Sequence, residues 1–266
     1  MMDKLPAEQN RGYVDPKYLQ ELAHILRHDK QRTYELMNVQ PGHHVLDLGC
    51  GAGTDTIALA HLVGPKGRVA GVDYDPNMIV EADRAAVIAG VAERINHHHA
   101  DGSVVPFPDN SFDACRSERV FQHLEDPLVT LAEMIRVTKR GGRIVVLDTD
   151  WGSSSTDTTE TELERQWVMY SAAQFYRNGF SGRTLYRLFR QQSLTDITVE
   201  LRPIFITNYA LARFAALWDD REQMAVATGT FTRDEMNRLQ RSFERAAAND
   251  TFFTSIMLIL VAGRKG

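Results

Sequence analysis

Between Val45 and Trp151, short apolar runs alternate with segments whose apolar residues recur every three or four positions. That double periodicity predicts a parallel sheet covered by helices. Strands are expected at Val45 to Leu48, Arg68 to Asp73, about Ile95 to Asp101, Phe112 to Arg116 and Ile144 to Leu147. The intervening helices begin at about Thr54, stopped by Gly64-Pro65 after Val63, at Asp75-Pro76, and at Asp126-Pro127, closed by Gly141-Gly142. Each Asp-Pro pair supplies a side-chain cap and a proline at the first helical position. Beyond Trp151 the texture changes: Gly152 through Thr161 reads as a Ser/Thr-rich loop. Helices are predicted over Glu162 to Arg177, Gly182 to Gln192, Tyr209 to about Thr228 and Arg233 to Ala248. Strands are predicted at Ile197 to Ile206, broken by Pro203, and at Phe252 to Ala262. Upstream of the first strand, Pro16 to Met37 has a helical pattern.

The chain has 266 residues, 43% hydrophobic and 24% charged, the balance of an ordinary globular protein. A net charge of −5 argues against a broad basic surface for nucleic acid. Two cysteines, Cys50 and Cys115, are too few for a disulfide framework or a cysteine zinc site, and both fall in segments expected to be buried. The run Ile256 to Ala262 is too short to span a bilayer, and MMDKLPAEQN lacks the apolar core of a secretory signal. These features predict a cytoplasmic protein, monomer or homodimer, with a small-molecule substrate, no nucleic-acid partner and no membrane.

The densest chemical signal is Val45-Leu46-Asp47-Leu48-Gly49-Cys50-Gly51-Ala52-Gly53-Thr54. It reads as a strand, a tight turn and a helix N-terminus, where a nucleotide-like ligand can lie against bare backbone. Spacing separates the possible ligands. The dinucleotide fingerprint needs its third glycine at position 54, where Thr54 stands, and this counts against an NAD(P)-dependent oxidoreductase. Two further acids, Asp73 and Asp101, end the next two predicted strands, at the sheet edge where such folds bind ligands.

The ordered series of Asp47 with its glycine turn, Gly71-Val72-Asp73, Ala100-Asp101-Gly102, Pro106-Phe107-Pro108-Asp109-Asn110-Ser111-Phe112-Asp113 and Lys139-Arg140-Gly141-Gly142 resembles the core of class I S-adenosylmethionine-dependent methyltransferases. The likeness is greatest to the branch holding ubiquinone, menaquinone and natural-product methyltransferases, and it covers about Val39 to Trp151. It implies an α/β, Rossmann-like, doubly wound seven-stranded sheet whose last strand is antiparallel, with added helical lid elements. Residues 1–38 would form an N-terminal helical lid segment and residues 39–151 the cofactor-binding core. Residues 152–266 would complete the same domain, with a substrate-lid insertion at about 209–248 and the final strand.

The same resemblance implies roles. S-adenosylmethionine is the implied cofactor, giving S-adenosylhomocysteine. Gly49, Gly51 and Gly53 would face its methionine part, with Asp47 either a cofactor contact or an acceptor that stabilises the turn. Asp73 would take the ribose hydroxyls, Tyr74 would pack on adenine, and Asp101 would accept the adenine amine with Gly102 leaving room beside it. The segment Ser117 to Leu124 would line the site near the methyl group, Ser117 on the cofactor side. His123 is a candidate to orient substrate or take a proton, or else a packing histidine. Asp148 and Asp150 end the fifth strand, one a candidate base or acceptor and the other a loop cap. Trp151, Tyr170, Tyr176 and Arg177 are candidate substrate-lining residues, against a background of helical core packing and exposed helix charge. His97 and His99 share a strand face without a partnering acid or thiol in the sequence nearby, so no metal site is expected. A non-catalytic subunit that only binds the cofactor is the remaining alternative.

Overall fold

The computed structural model describes residues 25–266. The described strands are β1 (His44–Leu48), β2 (Arg68–Asp73), β3 (Ile95–His99), β4 (Phe112–Glu118), β5 (Thr138–Thr156), β6 (Thr195–Ile206) and β7 (Thr254–Arg264). They form one sheet in the order β3-β2-β1-β4-β5-β7-β6. β1 to β5 run parallel, and β7 lies antiparallel between β5 and β6. This is the doubly wound, seven-stranded sheet with an antiparallel last strand that the sequence predicts.

Alternation along the central strands sends neighbouring residues to opposite faces. Leu46, Val72, Cys115, Val146 and Val261 pack with α4 (Pro127–Val137) and α6 (Ser181–Gln191). Val45, Val69, Ala114, Val145 and Leu260 pack with α1 (Arg27–Met37) and α2 (Thr54–Val63). Helix α3 (Pro76–Ile88) starts where the sequence places it: Asp75 accepts from the Asn77 amide, with Pro76 at the first turn. A third apolar cluster joins α5 (Thr161–Tyr170), α7 (Tyr209–Ala215), α8 (Trp218–Ala227) and α9 (Arg233–Ala248).

Four expectations are corrected. The predicted loop from Gly152 is the continuation of β5, a 19-residue strand that pairs Ser155 with Ser255 and Thr156 with Thr254 after a register shift. Hydroxyls fill that irregularity: Ser153 Oγ donates to Asp150 O and accepts from the Met257 amide, and Thr156 and Thr254 share a 2.8 Å hydrogen bond. Pro203 does not break β6, because β6 is an edge strand and its missing N–H is tolerated there. The predicted helix to Arg177 gives way at Ser171 to a π turn through Phe175, where Ser171 Oγ donates to Trp167 O. The predicted Tyr209 helix splits in two at Leu217, which takes a left-handed φ of 52°. Of the helix predicted from Pro16, residues 16–24 lie outside the described residues, as does the MMDKLPAEQN stretch. The His97 side chain is buried, hydrogen-bonded to Thr56 and Asp83 and packed on Gly71.

Phe189 of α6 is fully buried against the sheet, its ring beside Gly263 of β7. Phe189→Ala is expected to destabilise the fold by about 3–5 kcal/mol in chemical denaturation.

Candidate functional site

The carboxyl edges of β1, β2 and β4 open into a cavity of about 590 Å³. The glycine turn forms its floor. Gly49 and Cys50 amides both donate to Val72 O, at 2.7 and 3.0 Å, tying the turn to β2. Gly49 has φ 79°, and a Cβ there would lie 2.0 Å from Val120 Cγ2, so only glycine fits. Gly53, also left-handed, caps α2 and packs on Ala82 instead of lining the cavity.

Asp73 sits where β2 ends, its Oδ2 accepting from the Gly51 amide at 2.8 Å and its Oδ1 from the Asp75 amide at 2.9 Å. Burial raises its pKa, opposed by those two amides. Each carboxylate oxygen retains capacity for a further donor. Tyr74, Met78, Asp101, Gly102 and Ser103 continue the wall beside it. Asp101 Oδ1 accepts from the Ser103 amide, which turns the chain so that Gly102 lies against Leu48.

Beneath the turn lies a cluster of buried charge that the sequence signals only in fragments. Arg116 is fully buried on β4, in register with Asp47 of β1. Its Nη1 contacts Asp47 Oδ1 at 3.2 Å and Asp55 Oδ1 at 2.9 Å, and its Nη2 contacts Glu118 Oε2 at 2.6 Å. Lys30 of α1 bridges Asp55 at 2.6 Å and Glu118 at 2.8 Å, and the Tyr34 hydroxyl donates to Asp55. Burial alone would raise Asp55, but Arg116 and Lys30 hold it below the usual carboxylate range. Burial raises Asp47, whose Oδ2 has no partner among the described residues. A small pocket bordered by Lys30, Asp47, Gly51, Glu118 and Arg119 separates the cluster from the turn.

At the far end of the cavity, Trp151 and Tyr176 stack at 4.2 Å with 9° between their planes, and Trp218, Ile206 and Leu217 close the chamber. His123 lies in a 3₁₀ turn (Phe121–His123) on the wall; burial and then Arg119 push its pKa down to about 4. Arg177, at the same cavity, faces Glu125 at 3.7 Å, both groups well exposed.

The structure thus brings together at the cavity Gly49, Gly51, Asp73, Tyr74, Asp101, Gly102, His123, Trp151, Tyr176 and Arg177. It does not bring the other candidates there. Asp47 borders the smaller pocket. Ser117 points into the sheet core, opposite to Arg116 and Glu118. Tyr170 packs with Trp167 and Phe231 in the helical cluster. Asp148 and Asp150 are turned away by strand alternation, which presents Thr149 and Trp151 to the cavity instead. Asp148 accepts from Ser181 Oγ, the Thr149 amide and the Gln122 amide, and Asp150 pairs with Arg183 at 2.7 Å. Both hold α6 and the 3₁₀ turn on β5. Lys30 and Arg116 are given no role by the sequence, whereas Gln122 lines the cavity as part of the segment Ser117 to Leu124 expected there. A charged residue inside an otherwise apolar strand was the available signal for Arg116.

Arg116→Met removes the cation from three buried carboxylates and is expected to destabilise by about 3–5 kcal/mol, read by urea titration. Burial, against the hydrogen bonds it accepts, pushes Asp148 up to about 6, so the folded chain holds this proton more tightly than the unfolded one. The group's contribution to stability is therefore largest below an unfolded pKa of about 4 and is lost as pH rises towards 6. A carboxyl-carbon NMR titration is expected to show Asp148 with a midpoint near 6.

A family profile described as a methyltransferase domain matches residues 40–199, more than half of the chain. An uncharacterized 37.1 kDa protein in transposon TN4556 of Streptomyces fradiae is 37% identical over 177 residues, 64% of this chain and 49% of that protein. The demethylmenaquinone methyltransferase of Bacillus pumilus is 40% identical over 120 residues, 45% of this chain and 51% of the enzyme. The chain thus spans about half the length of the curated relatives it matches. The fold is shared with the geranyl diphosphate C-methyltransferase of Streptomyces coelicolor, solved with Mg²⁺, geranyl diphosphate and S-adenosyl-L-homocysteine. The TM-score is 0.60 at 18% identity, covering 95% of this chain and 86% of that one. With the profile spanning β1 through the start of β6, this chain belongs to the methyltransferase domain family.

Proposed function

We propose that the chain is an S-adenosylmethionine-dependent methyltransferase acting on an N, O or C atom of a small aromatic or heteroaromatic metabolite. The observation that carries this reading is one cavity that joins the glycine turn, Asp73 and Asp101 to an aromatic chamber walled by Trp151 and Tyr176. Its donor set fits an adenosyl amino acid. Asp73 has acceptor capacity for ribose hydroxyls, Asp101 stands beyond it towards the adenine end, and Met78 and Val72 give an apolar bed between. The small pocket by Lys30, Glu118 and Arg119 offers both signs of charge to an amino-acid end. When bound, the cofactor supplies a methyl group already activated on a sulfonium. The protein's own work is then alignment and exclusion of water. Trp151 and Tyr176 hold a flat acceptor, and α7 with α8 cover the chamber as the lid. Residues 39–151 and 152–266 serve as cofactor core and acceptor-binding part of one domain in a cytoplasmic protein, monomer or homodimer; of the lid segment expected at 1–38, residues 1–24 lie outside the described residues. Thr54 opens α2 where a dinucleotide fold would place its third glycine, which disfavours NAD(P) chemistry.

S-Adenosylhomocysteine is expected to bind in calorimetry and raise the melting temperature, whereas NAD is not. Asp73→Ala is expected to weaken that binding at least about tenfold, the loss of one charge-assisted hydrogen bond. Preserved melting behaviour in the variant separates loss of binding from loss of fold. Methyl transfer is then followed on a panel of phenols and heteroaromatic amines. Activity confined to macromolecules would remove the acceptor assignment, and cofactor binding without any transfer would favour a non-catalytic subunit.

A further inference from the structure

Trp151 Nε1–H can only donate, and it lies 2.6 Å from Gln122 Oε1. That contact fixes which way the Gln122 amide faces. Its Nε2, with two hydrogens and no lone pair, stands 3.0 Å from Arg119 O and 3.1 Å from His123 Nε2. Both hydrogens are therefore donated, one to the carbonyl and one to the imidazole. His123 Nε2 must accept, which leaves the ring proton on Nδ1.

We propose that Trp151 and Gln122 lock His123 as the neutral Nδ1–H tautomer, so that it meets the acceptor molecule as a hydrogen-bond donor and not as a base. The lock extends into the backbone. The Gln122 amide donates to Asp148 Oδ2 at 3.3 Å, and Gln122 O accepts from the Asn178 amide at 2.9 Å. Asn178 Nδ2 also donates to Leu124 O, closing the other end of the turn. The Gln122 amide cannot flip without breaking its three side-chain bonds, and the His123 ring cannot turn over without losing its bond from Gln122. Protonating the ring would set Nε2–H against an amide N–H. The charged neighbour of His123 is Arg119, which disfavours the cation further, and Tyr176 lies 6.5 Å away, ring to ring.

The tautomer determines what the chamber can recognise. A neutral donor on an aromatic wall suits a ligand carrying a lone pair beside the methylated atom, such as a phenolate, an enolate or a ring carbonyl. An acceptor that must lose a proton does not give it to His123, whose Nε2 is engaged by Gln122. Asp148, above it, is committed to three donors. Gln122 and Trp151 are positioning residues, acting only through His123. This role in catalysis rests on the methyl-transfer reading; the tautomer itself does not.

Nitrogen NMR of the full chain, labelled at its nine histidines and assigned by comparison with His123→Asn, reads the tautomer directly. The expected result is protonated Nδ1 and unprotonated Nε2 across about pH 6 to 8, with no titration near the ordinary value of about 6.5. Gln122→Glu presents an acceptor to Nε2, so it is expected to move the proton to Nε2 and raise the His123 pKa above 6.5. Trp151→Phe frees the amide to flip and is expected to give a mixture of tautomers. An Nε2–H ring in the wild type overturns the proposal, and so does a tautomer unmoved by Trp151→Phe. The wild-type spectrum decides even if Gln122→Glu fails to fold. An Nδ1–H ring in a protein that binds no S-adenosylhomocysteine would instead sink the methyl-transfer reading and leave the lock standing.

Discussion

Arg116 reaches its three carboxylates from the middle of the sheet, and each carboxylate belongs to a different part of the site. Asp47 lies near the end of the strand before the glycine turn, Asp55 in the first turn of the helix after it, and Glu118 ends the strand that leads to His123. A guanidinium has a rigid planar fork, so satisfying all three fixes their relative positions. Lys30 adds α1 to the same arrangement through Asp55 and Glu118. Removing water from so many charges is expensive, and the contacts compensate only when their geometry is held. What the cluster supplies is therefore mainly position. It sets the turn, the first helix and the post-β4 segment as one unit, ready for a ligand that touches all of them.

The aromatic end of the cavity is organised differently, by hydrogen bonds, ring stacking and one overlying guanidinium. Trp151 is stacked on Tyr176, bonded through its N–H to Gln122, and overlain by the Arg221 guanidinium at 5.2 Å. These contacts draw on β5, the π turn after α5, the 3₁₀ turn and α8. A wall assembled from four elements keeps its shape only while all four stay docked. The shape of this chamber thereby depends on the docking of the helical part, while the glycine-turn end of the cavity stands on the sheet.

Much of the core was legible in the chain because its signals are local. Glycines at the β1 turn, acids at strand ends and Asp-Pro caps each act within a few residues, and the structure realises them at Gly49, Asp73, Asp75 and Asp126. The less legible parts depend on contacts distant in sequence. Gly152 to Thr156 carries loop chemistry, yet β7, a hundred residues later, supplies the partners that make it strand. Asp148 and Asp150 stand at the expected strand end, but the face they take follows from the register of a strand longer than its apolar run. Tyr170 shares its spacing with true wall residues and is diverted into the helical cluster by Phe231. Arg116 and Gln122 also take their roles from Asp47, Asp55 and Trp151, none of them sequence neighbours.

The edge strand β6 carries an exposed apolar row, with Leu201 at 62% and Phe205 at 68% accessible, and Phe205 stacked on Phe253. A long edge of this kind is a template on which another chain can add a strand. Pro203 stands between those two residues and offers no amide hydrogen. A visiting strand would find a gap in its ladder midway along the greasiest stretch. The proline that reads in the sequence as a break within a strand thus interrupts the template that this apolar edge would offer to fibrillar growth.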